Sequence, residues 1–209
     1  MSTAMKVAVI DDDKSARTSL ARLITTAGIE VVSFSSADEF LEDPCRTQVD
    51  CAVTDVRMPG VDGFKLQETL ARTVPYLSVV FITGHGDIPM TVRAIRGGAV
   101  DFLEKPVDDE ALLEAIRRAA ERSRDQRASG AELGDLKRRL RASHARERQV
   151  FQLITAGLLN KQAGAELGTT ERTIKVQRAQ VMSKMKAELL AELVRMADQL
   201  RIRSASKAD

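Results

Sequence analysis

Cys51-Ala52-Val53-Thr54-Asp55 is a short, mostly apolar run that stops on a carboxylate. Three other runs repeat the pattern. Val7-Ala8-Val9-Ile10 stops on Asp11-Asp12-Asp13, Val79-Val80-Phe81-Ile82 stops on Thr83, and the run from Val100 to Leu103 leads into Lys105-Pro106. Short apolar runs separated by helical patterns read as parallel strands buried on both faces. In such sheets ligands bind beyond the carboxyl ends of the strands. Four strand ends should therefore bring carboxylates, a hydroxyl and an ammonium to one crevice, a set suited to Mg²⁺ and to a phosphoryl group on Asp55.

The segments between the runs carry helical periodicity. Lys14 to Ala27 reads as a helix with Leu20, Leu23, Ile24 and Ala27 on one face, and Gly28 is its stop. Glu30 to Phe34 reads as a strand, and Ser36 caps a short helix holding Phe40 and Leu41. Further helices are expected from Asp62 to Thr73, from Ile88 to Arg96 with Gly97-Gly98 behind it, and from Asp108 or Asp109 onward, burying Leu112, Leu113 and Ile116. Five such units make an α/β, doubly wound, five-stranded parallel sheet over residues 1–122.

Residues 123–142 are polar and rich in Arg, with Gly130 and Gly134, and read as a linker. Leu112, Ile116, Ala119, Ser123, Gln126, Gly130, Leu133, Lys137 and Leu140 fall at heptad spacing, but the middle of that seam is polar. An extended helix that joins the domains or pairs with its twin, and a mobile, partly helical linker, both fit. Residues 143–209 read as a small all-α domain. Val150, Phe151, Ile154 and Leu158 form an apolar face, Gln162 to Leu167 is a short helix, and Thr170 caps a third helix running through Met185. Leu189, Leu190, Leu193, Val194 and Met196 face inward from a fourth. Gly168-Thr169-Thr170 makes the tight turn of a helix-turn-helix.

The net charge of +2 over 209 residues hides an asymmetry. Residues 1–122 hold 14 basic and 20 acidic residues, a net of −6, and residues 123–209 hold 18 and 10, a net of +8. That division suggests metal chemistry in one half and polyanion binding in the other. Cys45 and Cys51 make no disulfide framework, and nothing has zinc-ligand spacing. No long apolar segment opens the chain, so neither a signal peptide nor a membrane span is expected, and a cytoplasmic protein is.

Val9-Ile10-Asp11-Asp12-Asp13, Thr54-Asp55-Val56-Arg57-Met58-Pro59-Gly60, Thr83-Gly84-His85-Gly86-Asp87 and Glu104-Lys105-Pro106, in this order and spacing, resemble the signatures of a response-regulator receiver domain. The stretch Phe81 to Met90 is similar to the FixJ branch. In the second half, Arg146-Glu147-Arg148-Gln149-Val150, Gly157-Leu158-Leu159-Asn160-Lys161, Arg172-Thr173-Ile174-Lys175-Val176 and Val181-Met182-Ser183-Lys184-Met185 resemble a LuxR-type DNA-binding domain. The whole chain is thus similar to NarL/FixJ-type two-component response regulators. It departs from their pattern at His144, where Ser or Thr usually caps a helix, at Ala163-Gly164 in place of Ile-Ala, and at Gln177 in place of a histidine. Gly164 within a helix costs about 1 kcal/mol relative to Ala.

The resemblance implies a sensor histidine kinase as phosphoryl donor and Asp55 as acceptor. Asp12 and Asp55 would bind Mg²⁺ directly, Asp11 mainly through water, and the backbone carbonyl of Arg57 would add a ligand. Lys105 would pair with the phosphoryl oxygens as a point charge, Thr83 would bond another oxygen, and Phe102 stands where the family has an aromatic that packs inward as the switch closes. Asp13 reads as the cap of the first helix and His85 as a loop residue. Cis geometry at Lys105-Pro106 is implied as well. No catalytic turnover beyond slow self-dephosphorylation is expected. Two other readings exist: a phosphorylation-independent DNA-binding regulator with a vestigial acidic pocket, and an Asp-nucleophile phosphatase using Asp11 as nucleophile and Asp13 as general acid.

For the second half the resemblance implies double-stranded promoter DNA. It places Lys175, Val176 and Ala179 on the groove-facing side. Lys175 and Arg178 can donate to guanine, and Gln177 or Gln180 can pair with adenine. Lys161, Arg172, Lys184 and Lys186 suit phosphate contacts, and Thr170 opens a helix whose N–H groups also suit phosphate. Phosphorylation should alter the face formed by helix four, strand five and helix five, which carries Arg93, Arg96, Asp101, Glu104, Asp108 and Glu110, and so favour a homodimer.

Overall fold

The computed structural model describes residues 4–84 and 86–202. They form two compact units, one reaching to Ala128 and the other starting at Ser129. The first is a five-stranded parallel sheet in the order β2-β1-β3-β4-β5, with β1 at Lys6–Ile10, β2 at Glu30–Phe34, β3 at Cys51–Asp55, β4 at Ser78–Thr83 and β5 at Asp101–Glu104. The helices α1 (Lys14–Thr26), α2 (Ala37–Glu42), α3 (Gly63–Thr73) and α4 (Ile88–Arg96) connect them. Helix α5 (Asp109–Ala142) follows.

The central strands are apolar throughout because the sheet is covered on both faces. Ala8, Ile10, Ala52, Val79 and Phe81 pack on one side with Phe40, Phe64, Leu66 and Leu70. Val7, Val9, Val53, Val80 and Ile82 pack on the other with Ile24, Leu112, Ile116 and Ala119. Of the face expected on α1, Ile24 is buried, Leu20 and Leu23 are partly buried and Ala27 is exposed. Helix starts obey local capping chemistry: Asp13, Ser36, Asp62 and Asp87 each accept backbone N–H groups of the first turn. The register sets Val9 beside Val53 and Ile10 beside Thr54, so Asp11 and Asp55 leave adjacent strands at the same level.

Helix α5 runs unbroken, and the segment expected as a linker divides between the units. Ser123 is fully buried in the first unit, where its Oγ accepts the Ser78 N–H at 2.8 Å. Asp50, just before β3, accepts from Arg124 Nη2 at 3.1 Å, and Arg127 Nη2 donates to the Val49 carbonyl at 2.9 Å. Leu136 is buried in the core of the second unit, with Leu140 packed beside it.

The second unit is helical: α6 (Ala145–Thr155), α7 (Asn160–Glu166), α8 (Glu171–Met185) and α9 (Leu190–Gln199). Val150, Phe151, Ile154, Ala163, Ile174, Val181, Met185 and Leu193 form its core. Two of the residues expected to face inward do not: Leu189 and Leu190 are exposed, because α9 begins at Leu190 and turns Leu193 and Ala197 to the core instead. Gly164 has a tertiary cause. A Cβ there would lie 2.9 Å from the Thr169 carbonyl oxygen, which the α7–α8 turn brings against the helix.

Candidate functional site

At the carboxyl ends of β1 and β3, one ligand oxygen from each of Asp11, Asp12 and Asp55 lies within 4.8 Å of the others. Asp11 is buried, Asp55 half-buried and Asp12 exposed. Lys105, just beyond β5, joins the group: its Nζ donates to Asp11 Oδ2 at 2.7 Å and to Asp55 Oδ2 at 3.4 Å. The remaining oxygens are held by backbone. Asp13 N–H donates to Asp11 Oδ1 at 2.9 Å, and Val56 N–H donates to Asp55 Oδ1 at 2.7 Å. The peptide between Lys105 and Pro106 is cis.

The electrostatics follow from this crowding. Burial pushes the Asp55 carboxyl above its ordinary range and the Asp11 charge adds to that, while Lys105 pulls the other way. Burial works against the Lys105 charge, but the hydrogen bond to Asp11 and the charges of Asp55 and Asp11 outweigh it, and its pKa is raised. The donor set fits Mg²⁺, which takes oxygen ligands and keeps several waters. Asp12 faces solvent and can offer an oxygen. Asp11 and Asp55 each have one oxygen on a backbone N–H and the other toward Lys105, and the two differ in that Lys105 holds Asp11 at 2.7 Å and Asp55 only at 3.4 Å, and in that Asp11 is the more deeply buried.

Thr83 ends β4 and is buried, one strand from Asp55. Phe102 in β5 is half-buried, with its ring 6.2 Å from that of Phe81. Gly86 closes against it: a Cβ there would lie 3.0 Å from Phe102 Cε1 and 2.5 Å from Glu104 Oε1. Arg57 lines a shallow groove with Asp12, Met58, Asp62 and Arg93. His85 lies outside the described residues. Asp13 Oδ1 accepts from Ser15 N–H at 2.7 Å and Ala16 N–H at 3.3 Å, and these bonds hold its carboxyl below the usual range. A carboxylate committed to a helix cap is unsuited to the general-acid role that a phosphatase would give it.

Two supporting residues escaped the sequence reading. Arg17 Nη1 donates to the Asp11 carbonyl at 2.5 Å and braces the loop that carries the acidic cluster. Gly63 is required because a Cβ would lie 2.3 Å from the carbonyl oxygen of Asp55 and 2.9 Å from the Phe81 ring. A basic residue one turn into the helix after Asp11-Asp12-Asp13 was the available signal for Arg17. None existed for Gly63, whose neighbours are distant in sequence.

In the second unit, Thr170 Oγ1 accepts the Thr173 N–H at 3.2 Å and starts α8. Arg172, Lys175, Val176, Ala179, Gln180 and Ser183 line one outward groove along that helix, with Lys184 at its edge. Val176 is 55% exposed, an apolar side chain displayed among cations. Arg178 is not brought to this face: it falls on the stripe of Ile174, Val181 and Met185 and is half-buried, as is Gln177. Lys184 donates to Glu147 Oε2 at 2.6 Å. Lys161 stands exposed in the first turn of α7. At α6, where His144 replaces the usual hydroxyl cap, Glu147 Oε2 still accepts the His144 N–H at 2.8 Å.

The description "Response regulator receiver domain" matches residues 7–117, and "Bacterial regulatory proteins, luxR family" matches residues 145–197. The chain is 47% identical over 201 residues to "Nodulation protein W" of Bradyrhizobium diazoefficiens, covering 96% of this chain and 88% of that one. It is 43% identical over 197 residues to "Transcriptional regulatory protein FixJ" of Azorhizobium caulinodans, covering 94% and 93%. Among solved structures, the response regulator StyR superposes with a TM-score of 0.81 at 42% identity, covering 94% of this chain and all of that one.

Proposed function

Because the chain belongs to the NarL/FixJ-type response regulators, and so is a two-component response regulator acting as a transcription regulator, we propose that Asp55 is its phosphoryl acceptor and a sensor histidine kinase its donor. The observation that carries this is Lys105 Nζ, set between the carboxylates of Asp11 and Asp55 at the open end of the sheet. An oxygen of Asp55 attacks the phosphorus of the donor's phosphohistidine. The P–N bond breaks, its electron pair stays on the imidazole nitrogen, and that nitrogen takes up a proton. Lys105 is placed to follow the charge from the carboxylate pair to the phosphoryl oxygens, and Thr83 to bond one of them. Asp12, Asp55 and the carbonyl of Arg57 would hold Mg²⁺, with Asp11 acting through water. The cation would offset the repulsion between anionic donor and carboxylates. Phe102 moves inward as Thr83 is engaged.

The output belongs to α8, which would enter the major groove of promoter DNA with Lys175, Val176 and Ala179 toward the bases, and with Arg172, Lys161 and the helix start at Thr170 toward phosphates. We assign residues 1–122 to the receiver, 123–142 to the connecting segment and 143–209 to the DNA-binding domain. The protein would act in the cytoplasm, as a homodimer once phosphorylated, and with at most slow self-dephosphorylation. Among the described residues no helix is long and apolar enough to cross a membrane. The test is phosphoryl incorporation from acetyl phosphate and Mg²⁺, read by intact-protein mass and peptide mapping. One phosphoryl group on Asp55, absent from the Asp55→Asn variant, is expected. Persistent labelling of that variant, or a label on Asp11, would overturn the assignment.

A further inference from the structure

Glu147 is an acidic side chain of the second unit that pairs with a cation of α8. It sits in the first turn of α6 and is 7% exposed. Its Oε2 accepts two donors from different elements: the His144 N–H at 2.8 Å and Lys184 Nζ at 2.6 Å. The hydrogen bond from Lys184 holds its carboxyl below the usual range, so it is anionic at neutral pH. Lys184 occupies the last turn of α8, and its side chain is 38% exposed. It lies at the end of the same groove as Arg172, Lys175, Val176, Ala179 and Gln180. By residue type and place it is a phosphate-binding cation, yet its charge is already met from within the unit.

We propose that Glu147 is a positioning and specificity-determining residue for DNA binding: it pins the end of the recognition helix to α6 and keeps Lys184 off the DNA backbone. Each cation that neutralises a phosphate strengthens binding to every sequence alike. Holding one such cation in an internal pair therefore lowers sequence-independent affinity and leaves a larger share of the binding to side chains that read base edges. The pair also carries geometric information, because a short bond to a nearly buried carboxylate ties the last turn of α8 to the first turn of α6.

The inference rests on α8 being the DNA-binding helix, and the experiment separates the two claims. Binding of the full chain to a mixed-sequence duplex is titrated over a range of salt, for the parent protein, Glu147→Gln, and Glu147→Gln with Lys184→Met. Glutamine keeps an oxygen for the His144 N–H and removes the charge. Glu147→Gln should steepen the slope of log K against log salt by about 0.9, the value for one additional phosphate contact, and tighten binding to this duplex. Adding Lys184→Met should remove that gain. A role in stability alone would lower the melting temperature and leave the slope where it was, which would overturn the proposal. A shallower slope in Glu147→Gln would overturn it too, by showing that the held Lys184 was itself a contact. If the parent protein binds duplex DNA while Arg172→Ala with Lys175→Ala leaves the slope unchanged, the assignment of α8 fails and this inference falls with it.

Discussion

At the residue scale, the acidic pocket works by holding charges in positions that destabilise the fold. Asp55 is half-buried beside Asp11, and its pKa is raised. A carboxyl whose folded pKa lies above its unfolded value contributes its full stability only below about pH 4 and loses it as pH rises through the folded value. Asp55→Asn should therefore raise the unfolding midpoint at pH 7, and the gain should vanish near pH 3; melts at the two pH values check it. Lys105 has the opposite character. Its raised pKa gives stability that is present at neutral pH and is lost as pH climbs through the folded value above 10.5. Asp13 is a third case. Asp13→Ala removes two bonds to the first turn of α1 and should lower the midpoint of denaturant unfolding. Phosphorylation of Asp55 should persist, whereas a general acid at Asp13 would show as lost chemistry.

At the scale of elements, local pattern and tertiary contact disagree at α7. Helix propensity says that Gly164→Ala should stabilise α7 by about 1 kcal/mol. The added Cβ would lie 2.9 Å from the Thr169 carbonyl oxygen, a backbone atom that cannot swing aside as a side chain can. No gain, and a net loss in equilibrium unfolding, is the expected result. A stabilised variant would mean that the α7–α8 turn yields easily. Helix α5 shows the same division. Its polar seam left an extended helix and a mobile linker equally open, and what holds its residues 123–127 on the first unit is contact with Ser78, Asp50 and Val49, far away in sequence.

For the whole molecule, a phosphoryl group on Asp55 is expected to act on DNA binding through the pairing of two copies of the chain. Helix α4 displays Ile88, Val92 and Ile95, exposed by 81%, 42% and 47%, at a spacing of one helical stripe. Arg93 lies 4.2 Å over the Phe64 ring on a neighbouring face of α4. An apolar stripe among charges suits pairing with a copy of itself under two-fold symmetry. Two linked DNA-binding units engage paired half-sites at a raised effective concentration, and twice the phosphate contacts should steepen the salt dependence. A stable phosphoryl mimic should convert monomers to dimers in light scattering, and Ile95→Asp should block that conversion while Asp55 still accepts phosphate. A mimic-bound protein that remains monomeric would point to relief of inhibition between the units instead.

What the sequence determined by itself was whatever depends on short-range pattern. The five strands, the caps at Asp13, Ser36 and Thr170, and the carboxylates at the ends of β1 and β3 follow from apolar periods and the residues that stop them. Spacing then gathers Asp11, Asp12, Asp55 and Lys105 at one end of the sheet. Other matters turn on which distant atom arrives: the Thr169 carbonyl that requires Gly164 and the Asp55 carbonyl that requires Gly63. The exposure of Leu189 and Leu190 and the pairing of Lys184 with Glu147 belong with them. Periodicity reports which side of a helix is apolar. It does not report which partner meets a polar or small side chain, because that partner comes from another part of the chain.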